Sequence, residues 1–256
     1  MSEASKRVLT ERRGNILIVT INRPEVRNAF DAKTSEAMQA AMDLLDNEEE
    51  LFVGVLTGAG GNFCSGMDLK AAANEGMHPP LPRGEFGIHG RPPRKPLIAA
   101  VEGYAVAGGF ETCLACDMIV AARDAKFGLP EVRHNLLATN ALVRLPARMP
   151  YHLAMELALT GRFKEARYFE RFGVVNYLTE PGQALEEALK LAESLLDNGP
   201  LALVASKEMI FQTFDGQANE DRLKELPIVK RVFGSEDERE GLAAFTEKRR
   251  PVWKGR

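Results

Sequence analysis

The chain of 256 residues is short of several things, and each shortage excludes something. It has three cysteines, Cys64, Cys113 and Cys116, too few for a disulfide framework. Its longest apolar runs, such as Pro96 to Val101, fall far short of the ~20 residues needed to span a bilayer, so no membrane segment is expected. The opening stretch MSEASKRVLTERRG lacks the apolar core of a secretory signal, and a cytoplasmic location is expected. An excess of one charge is also missing: Lys plus Arg is 33, Asp plus Glu is 36, and the formal net charge is −3. Nucleic-acid binding usually needs a basic surface, so no nucleic-acid partner is expected. Any anionic ligand must be met by local basic residues or by backbone N–H groups.

Familiar site motifs are scarce too. Gly58-Ala-Gly-Gly is neither a dinucleotide fingerprint, whose third glycine would fall at Phe63, nor a phosphate loop, because no Gly-Lys-Ser/Thr follows. It reads as a tight strand-to-helix turn. His78, His89, His134 and His152 are scattered, with no HExxH, so no metal is expected. No GxSxG is present, and Ser65 has no evident His and Asp partners. Cys113 and Cys116 form a CxxC inside an apolar helix instead of at a helix start. Buried structural thiols fit that position better than redox or zinc chemistry. There is no internal repeat and no low-complexity tract.

What is present is an ordinary folding composition, 45% hydrophobic and 27% charged, with ample length for a full core. Ile16 to Ile21 and Leu51 to Thr57 are β-branched, continuous runs of the buried parallel type. Pro96 to Val101 and Met118 to Ala121 are further strands. Asp31 caps a helix to about Asp46, and a short helix runs from Asp68 to Ala73. Phe110 to Cys116 reads as a buried helix. Tyr151 to Thr160 is a helix closed by Gly161, and Lys164 to Arg171 is another closed by Gly173. Val174 to Leu178 is strand-like. Residues 74 to 95, with five prolines and four glycines, read as a long loop of the lid or binding type. Beyond Gly182 the pattern is helical: Leu185, Ala188, Leu189, Ala192, Leu195 and Leu196 share one face, and a second helix runs to about Phe211. The fold class is α/β with parallel pairing. The division expected is a core over residues 1–181 and a helical subdomain over 182–256.

Two glutamates carry chemical interest. Glu111 follows Ala107-Gly108-Gly109-Phe110 in an apolar helix, where a lone carboxylate is expensive unless used. Glu131 follows Gly128-Leu129-Pro130. Two carboxylates in a dry pocket can divide acid and base roles. Gly108 and Gly109 at a helix N-terminus present N–H groups toward developing negative charge. These features point to an enzyme that stabilises an oxyanion.

The run KPLIAAVEGYAVAGGFETCLACDMIVAARDAKFGLPEV resembles the signature of the enoyl-CoA hydratase/isomerase, or crotonase, superfamily. NRPEVRNAF, LTGAGGNFCSGMDL, MELALTGR and EGLAAFTEKRRPVWKGR match in order along nearly the whole chain. The resemblance implies a spiral of ββα units with a helical C-terminal subdomain that builds trimers, often paired into hexamers. It implies an acyl-CoA substrate and no separate cofactor. The backbone N–H groups of Ser65 and Gly108 would polarise the thioester carbonyl. Glu111 would deprotonate the water that attacks Cβ, and Glu131 would protonate Cα. Contacts to CoA would come from Arg27 and Ala29, from Ser65, Gly66, Met67, Asp68 and Leu69, from Gly108, and from Lys248 with Arg249 near the C-terminus. For the basic side chains, a solvated surface role is the alternative.

The sequence departs from the family after Glu131. Most hydratases have a glycine- and proline-rich turn there, whereas Arg133 to Asn140 contains neither. Thr139 and Asn140 could supply polar contacts or only pack the turn, and His89 or Glu85 could reach in from the 74–95 loop. Isomerisation, dehydration or aldol-type cleavage on the same enolate is therefore the alternative reaction. A non-catalytic CoA- or RNA-binding role is the remote one.

Overall fold

A computed structural model describes residues 7–76, 81–214 and 234–252. His78 and the last four residues of the basic tail lie outside them. In chain order the strands and helices are β1 (Val8–Arg13), β2 (Ile16–Ile21), α1 (Ala32–Asn47), β3 (Val53–Gly58), α2 (Leu69–Glu75), β4 (Leu97–Val101), β5 (Tyr104–Val106) and α3 (Gly108–Ala115). They continue as β6 (Met118–Ala122), β7 (Lys126–Gly128), α4 (Thr139–Arg144), α5 (Tyr151–Thr160), β8 (Lys164–Glu165), α6 (Ala166–Glu170), β9 (Tyr177–Thr179), α7 (Ala184–Leu195), α8 (Pro200–Phe214) and α9 (Glu236–Glu247).

The main sheet has the order β1-β2-β3-β4-β6-β9. Only β1 and β2 pair antiparallel; every later pair is parallel. Period-two alternation along these strands feeds two cores. Ile16, Ile18, Val53, Val55, Ile98, Ala100 and Val120 face α7, whose Ala184, Ala188, Leu189 and Ala192 fill the other side. Leu17, Val19, Leu56, Leu97, Ala99 and Ala121 face the opposite way, into the larger core with α1 and α3. Each such fully buried branched side chain contributes about 2 kcal/mol. The first helix beyond residue 182 thus lies directly on the sheet.

A second, three-stranded sheet, β5-β7-β8, stands beside the first. It carries the chain past Ala107 and Gly128, where the candidate site is built. The sequence pattern does not disclose this sheet, because its strands are only two or three residues long. Lys164 and Glu165, expected to open a helix, instead pair with Phe127 and Lys126, and the helix begins at Ala166. β1 has no apolar pattern to mark it: only Val8 is buried, as suits a charged edge strand. The last strand starts at Tyr177, later than Val174. Asp31 does cap α1, accepting the Thr34 N–H at 2.8 Å.

Candidate active site

Two glycines let two segments meet. Cys64 bridges to Ala105 in parallel, which lays residues 64–66 against the start of α3. A methyl group on Gly66 would meet Ala107 Cβ at 2.6 Å and Gly108 N at 3.2 Å, and one on Gly109 would overlap the Cys64 carbonyl oxygen. Gly66 also has φ +95°, which suits glycine. Ala107, which precedes the helix, sits at φ 54°, ψ −135°, a strained setting for a residue with a Cβ. Gly108 leads α3, where first-turn N–H groups have no acceptor in their own helix. The Ser65 N–H, by contrast, donates to the Arg27 carbonyl at 3.0 Å. Of the two expected oxyanion donors, Gly108 is therefore the one that its own helix leaves open, while Ser65 is tied to the neighbouring segment.

Glu111 lies in the first turn of α3 and is 6% exposed. Its Oε1 accepts the backbone N–H of Asn140 at 2.9 Å and of Ala141 at 3.0 Å. Burial pushes its carboxyl well above the ordinary 4.5; the charges of Glu131 and Glu85 push the same way, and the two N–H groups only partly offset them. Glu131 sits on the 3-10 turn Pro130–His134. It is half-buried, but its Oε2 is cut off from solvent and has no hydrogen-bond partner among the described residues. Burial raises its carboxyl to about 7. The structure thus brings the two sequence-predicted glutamates within electrostatic reach of each other.

The turn that departs from the family grips Glu111 through its backbone, so glycine and proline are not required for that task. Thr139 opens α4, while Asn140 adds a side-chain bond from Nδ2 to Glu85 Oε2 at 2.9 Å. His89 is fully buried. The Thr112 hydroxyl donates to the Gly108 carbonyl at 2.8 Å and so accepts from His89 Nε2 at 2.9 Å. The sequence does not single out Phe86. Its ring stacks flat on Phe30, centroids 4.5 Å apart, and fills the space that a methyl on Gly108 would need. Gly87, at φ +71° beside it, is the available signal. The three cysteines are free and buried, and burial pushes the Cys64 thiol up to about 12, so they are inert thiols.

The expected CoA contacts fall into two groups. Phe30 and Met67 form a parallel bridge that sets residues 27–30 beside 65–69. Arg27, in the left-handed region at φ 52°, stands 5.6 Å over the Tyr104 ring. Ala29 is buried, and its carbonyl accepts from Arg23 Nη1 at 2.5 Å. Asp68 is committed locally: it caps α2 through the Ala71 N–H at 3.2 Å and pairs with Arg23 at 3.1 Å. Leu69 is the first residue of that helix. Lys248 ends α9 in the left-handed region, exposed. Helix α9 packs on both α2 and the Glu131 turn, with Phe245 edge-on to His134 at 5.2 Å. Arg249 is held by Glu240 at 2.8 Å and Glu247 at 2.5 Å, which makes it a local tie and not a free phosphate ligand.

The enoyl-CoA hydratase/isomerase family model matches residues 11–256. The chain belongs to this family. Enoyl-CoA hydratase EchA19 of Mycobacterium tuberculosis is 42% identical over 262 residues, covering 99% of this chain and 98% of that protein. Carnitinyl-CoA dehydratase of Salmonella heidelberg is 42% identical over 255 residues, covering 96% and 97%. A crystal structure of an enoyl-CoA hydratase from M. tuberculosis H37Rv superposes with a TM-score of 0.79 at 50% identity, covering 98% of this chain and all of that one. As a crotonase-superfamily fold, the chain places its glycine-led helix and both glutamates on one spiral core. Among the described residues no helix is long and apolar enough to cross a membrane.

Proposed function

We propose that the protein is a 2-enoyl-CoA hydratase. The observation that carries this reading is the Glu111–Glu131 pair beside the N-terminus of α3. Burial makes both carboxyls titrate high, and the Glu131 charge adds to the rise at Glu111. Two such carboxyls near each other favour the state in which one is ionised and the other neutral. That is the state water addition requires, with one group ready to take a proton and the other ready to give one. The oxygen of water bonds to Cβ as the Cα–Cβ π pair moves toward the thioester carbonyl. Glu111 takes the water proton. The enolate oxygen is met by the Gly108 N–H, with Ser65 as the second donor once its bond to Arg27 is shared. Glu131 then gives its proton to Cα, and the enolate collapses to the 3-hydroxyacyl thioester. The steps are formation of the O–Cβ bond, shifts of the π pair and proton transfers, with no net oxidation or reduction, so none calls for a redox group. Run backwards, the same pair dehydrates a 3-hydroxyacyl-CoA, which fits the name of the Salmonella relative.

The CoA moiety would lie along residues 27–29 and 65–69, with Arg27 and Lys248 as the phosphate partners. The acyl group would run beneath the segment carrying Phe86. Assembly as a homotrimer, or as a dimer of trimers, follows the family habit inferred from the sequence motifs. Loss of enoyl-thioester absorbance on mixing purified protein with a panel of 2-enoyl-CoAs tests the activity. No loss with any chain length would sink the reading. A product of unchanged mass would replace it with isomerisation.

A further inference from the structure

Glu85 lies on the short turn Glu85–Gly87, apart from the two glutamates above. The segment that carries it is fastened to α1. Buried Arg83 bonds Asp43 and Asp46 at 2.7 Å each, and Asp46 also accepts the Arg94 N–H at 2.7 Å. Glu85 is therefore delivered to a fixed place. There its Oε2 accepts from Asn140 Nδ2 at 2.9 Å, and the N–H of that same Asn140 donates to Glu111 Oε1 at 2.9 Å. One residue joins the two carboxylates, by side chain on one side and by main chain on the other.

We propose that Glu85 is a positioning residue for Glu111: it holds Asn140 so that two backbone N–H groups stay on the Glu111 carboxylate, and it sets a like charge across that turn. The charged groups acting on Glu111 are Glu131 from the turn after β7 and Glu85; His89, from the 81–95 segment, packs against the next residue of the helix, Thr112. His89 meets Thr112 at 2.9 Å, and Arg144 of α4 stands behind it, donating to the His89 carbonyl at 2.5 Å. The thiols of Cys113 on Glu111's own helix and of Cys116 at its C-cap are kept neutral by burial. Glu85 thus adds to burial and to Glu131 in keeping a proton on Glu111.

Glu85→Gln removes the charge and keeps an oxygen for Asn140; Glu85→Leu removes both. Only the kinetic arm rests on the hydratase reading. In a carbon-13 NMR titration of the glutamate carboxyls, with Glu111 assigned through Glu111→Gln, the Glu85→Gln protein should show Glu111 titrating at lower pH than the parent. An unmoved or raised midpoint overturns the proposal. In kinetics with 2-butenoyl-CoA, the acid limb of kcat/KM should move to lower pH. Near that limb Glu85→Gln should keep roughly threefold more of its plateau rate than the parent does. A rate that falls equally at every pH, with the limb unmoved, marks a merely structural role and also overturns it. Glu85→Leu should lower plateau kcat about tenfold with KM little changed, because the clamp on Glu111 loosens. A parent enzyme that hydrates nothing while the NMR midpoint still moves would defeat the hydratase reading and leave this inference standing.

Discussion

Glu111 and Glu131 bear the same carboxyl group, close enough to oppose each other's ionisation, but the chain holds them differently. Glu111 is built into a helix, nearly sealed from solvent, with one oxygen clamped by two backbone N–H groups from α4. Glu131 rides a single 3-10 turn, half-buried, with one buried oxygen that has no hydrogen-bond partner among the described residues. A carboxylate fixed by main chain keeps its direction when it gains or loses a proton. Glu131, whose carboxyl has a main-chain bond from its own N–H instead of a clamp from another element, has more freedom to swing. The difference suits Glu111 to aim a water and Glu131 to pass a proton to carbon.

The largest expected effects test that division. Glu111→Gln should lower kcat by roughly 10³-fold, and Glu131→Gln by a similar factor, within the usual range for a general acid or base. Because the pair acts as a unit, the double variant should be little worse than either single one. Steady-state rates on one enoyl-CoA check this, and multiplicative losses would mean that the two glutamates act independently.

The pH profile sharpens the comparison. The parent should be active over a bell whose acid side marks the pair gaining a second proton and whose alkaline side marks it losing the shared one. Glu131→Gln leaves a single ionisable carboxyl beside a neutral neighbour. Glu131 already carries its proton across the parent's acid limb, so that limb should stay in place while the alkaline limb disappears. A bell that persists unchanged would assign the limbs to other groups.

How far the sequence discloses this site depends on which forces act locally. The central strands are legible because parallel strands buried on both faces, such as Ile16–Ile21, read as unbroken apolar runs. Asp31 and Gly161 announce helix ends through capping chemistry. Glu111 stands out because a carboxylate in an apolar helix is a costly placement, and Glu131 is marked by the family resemblance of the run that carries it. The clamp from Asn140 and Ala141 is not legible: a backbone N–H has no residue type, and its partner is 29 residues away in sequence. The same holds for Phe86 against Gly108, which depends on a left-handed turn at residues 86 and 87. The short strands β5, β7 and β8 form because long-range pairing, not local propensity, holds them.

Stability gives a smaller and independent reading of the same contrast. Glu111 titrates higher in the folded chain than its ordinary 4.5. The folded state therefore binds its proton more tightly, and stability falls as pH rises from that ordinary value through the raised one. Glu111→Gln cannot ionise, so it should melt higher than the parent at pH 8, by about 3 °C or more. That advantage should vanish near pH 4, where both proteins are neutral at this position. Glu131→Gln should show the same sign, with the loss in the parent complete once pH passes about 7. Melting curves across pH check both, and a parent that gains stability on Glu111 ionisation would contradict the burial argument.

The smallest effect concerns the hinge that delivers Glu111. Ala107 holds φ 54°, ψ −135° immediately before α3, a region a Cβ resists at a cost of order 1–3 kcal/mol. Glycine relieves that strain but loses more freedom on folding, about 0.5–1 kcal/mol. The relief of strain outweighs the lost freedom, so Ala107→Gly should stabilise the fold by about 1 kcal/mol in urea titrations. Its catalytic effect should point the other way. A freer hinge lets the Gly108 N–H and Glu111 drift together, lowering kcat more than it raises KM, while Glu131 on its separate turn is undisturbed. A variant that is both less stable and fully active would show that Ala107 stores no strain and that the precision of Glu111 comes from the α4 clamp alone.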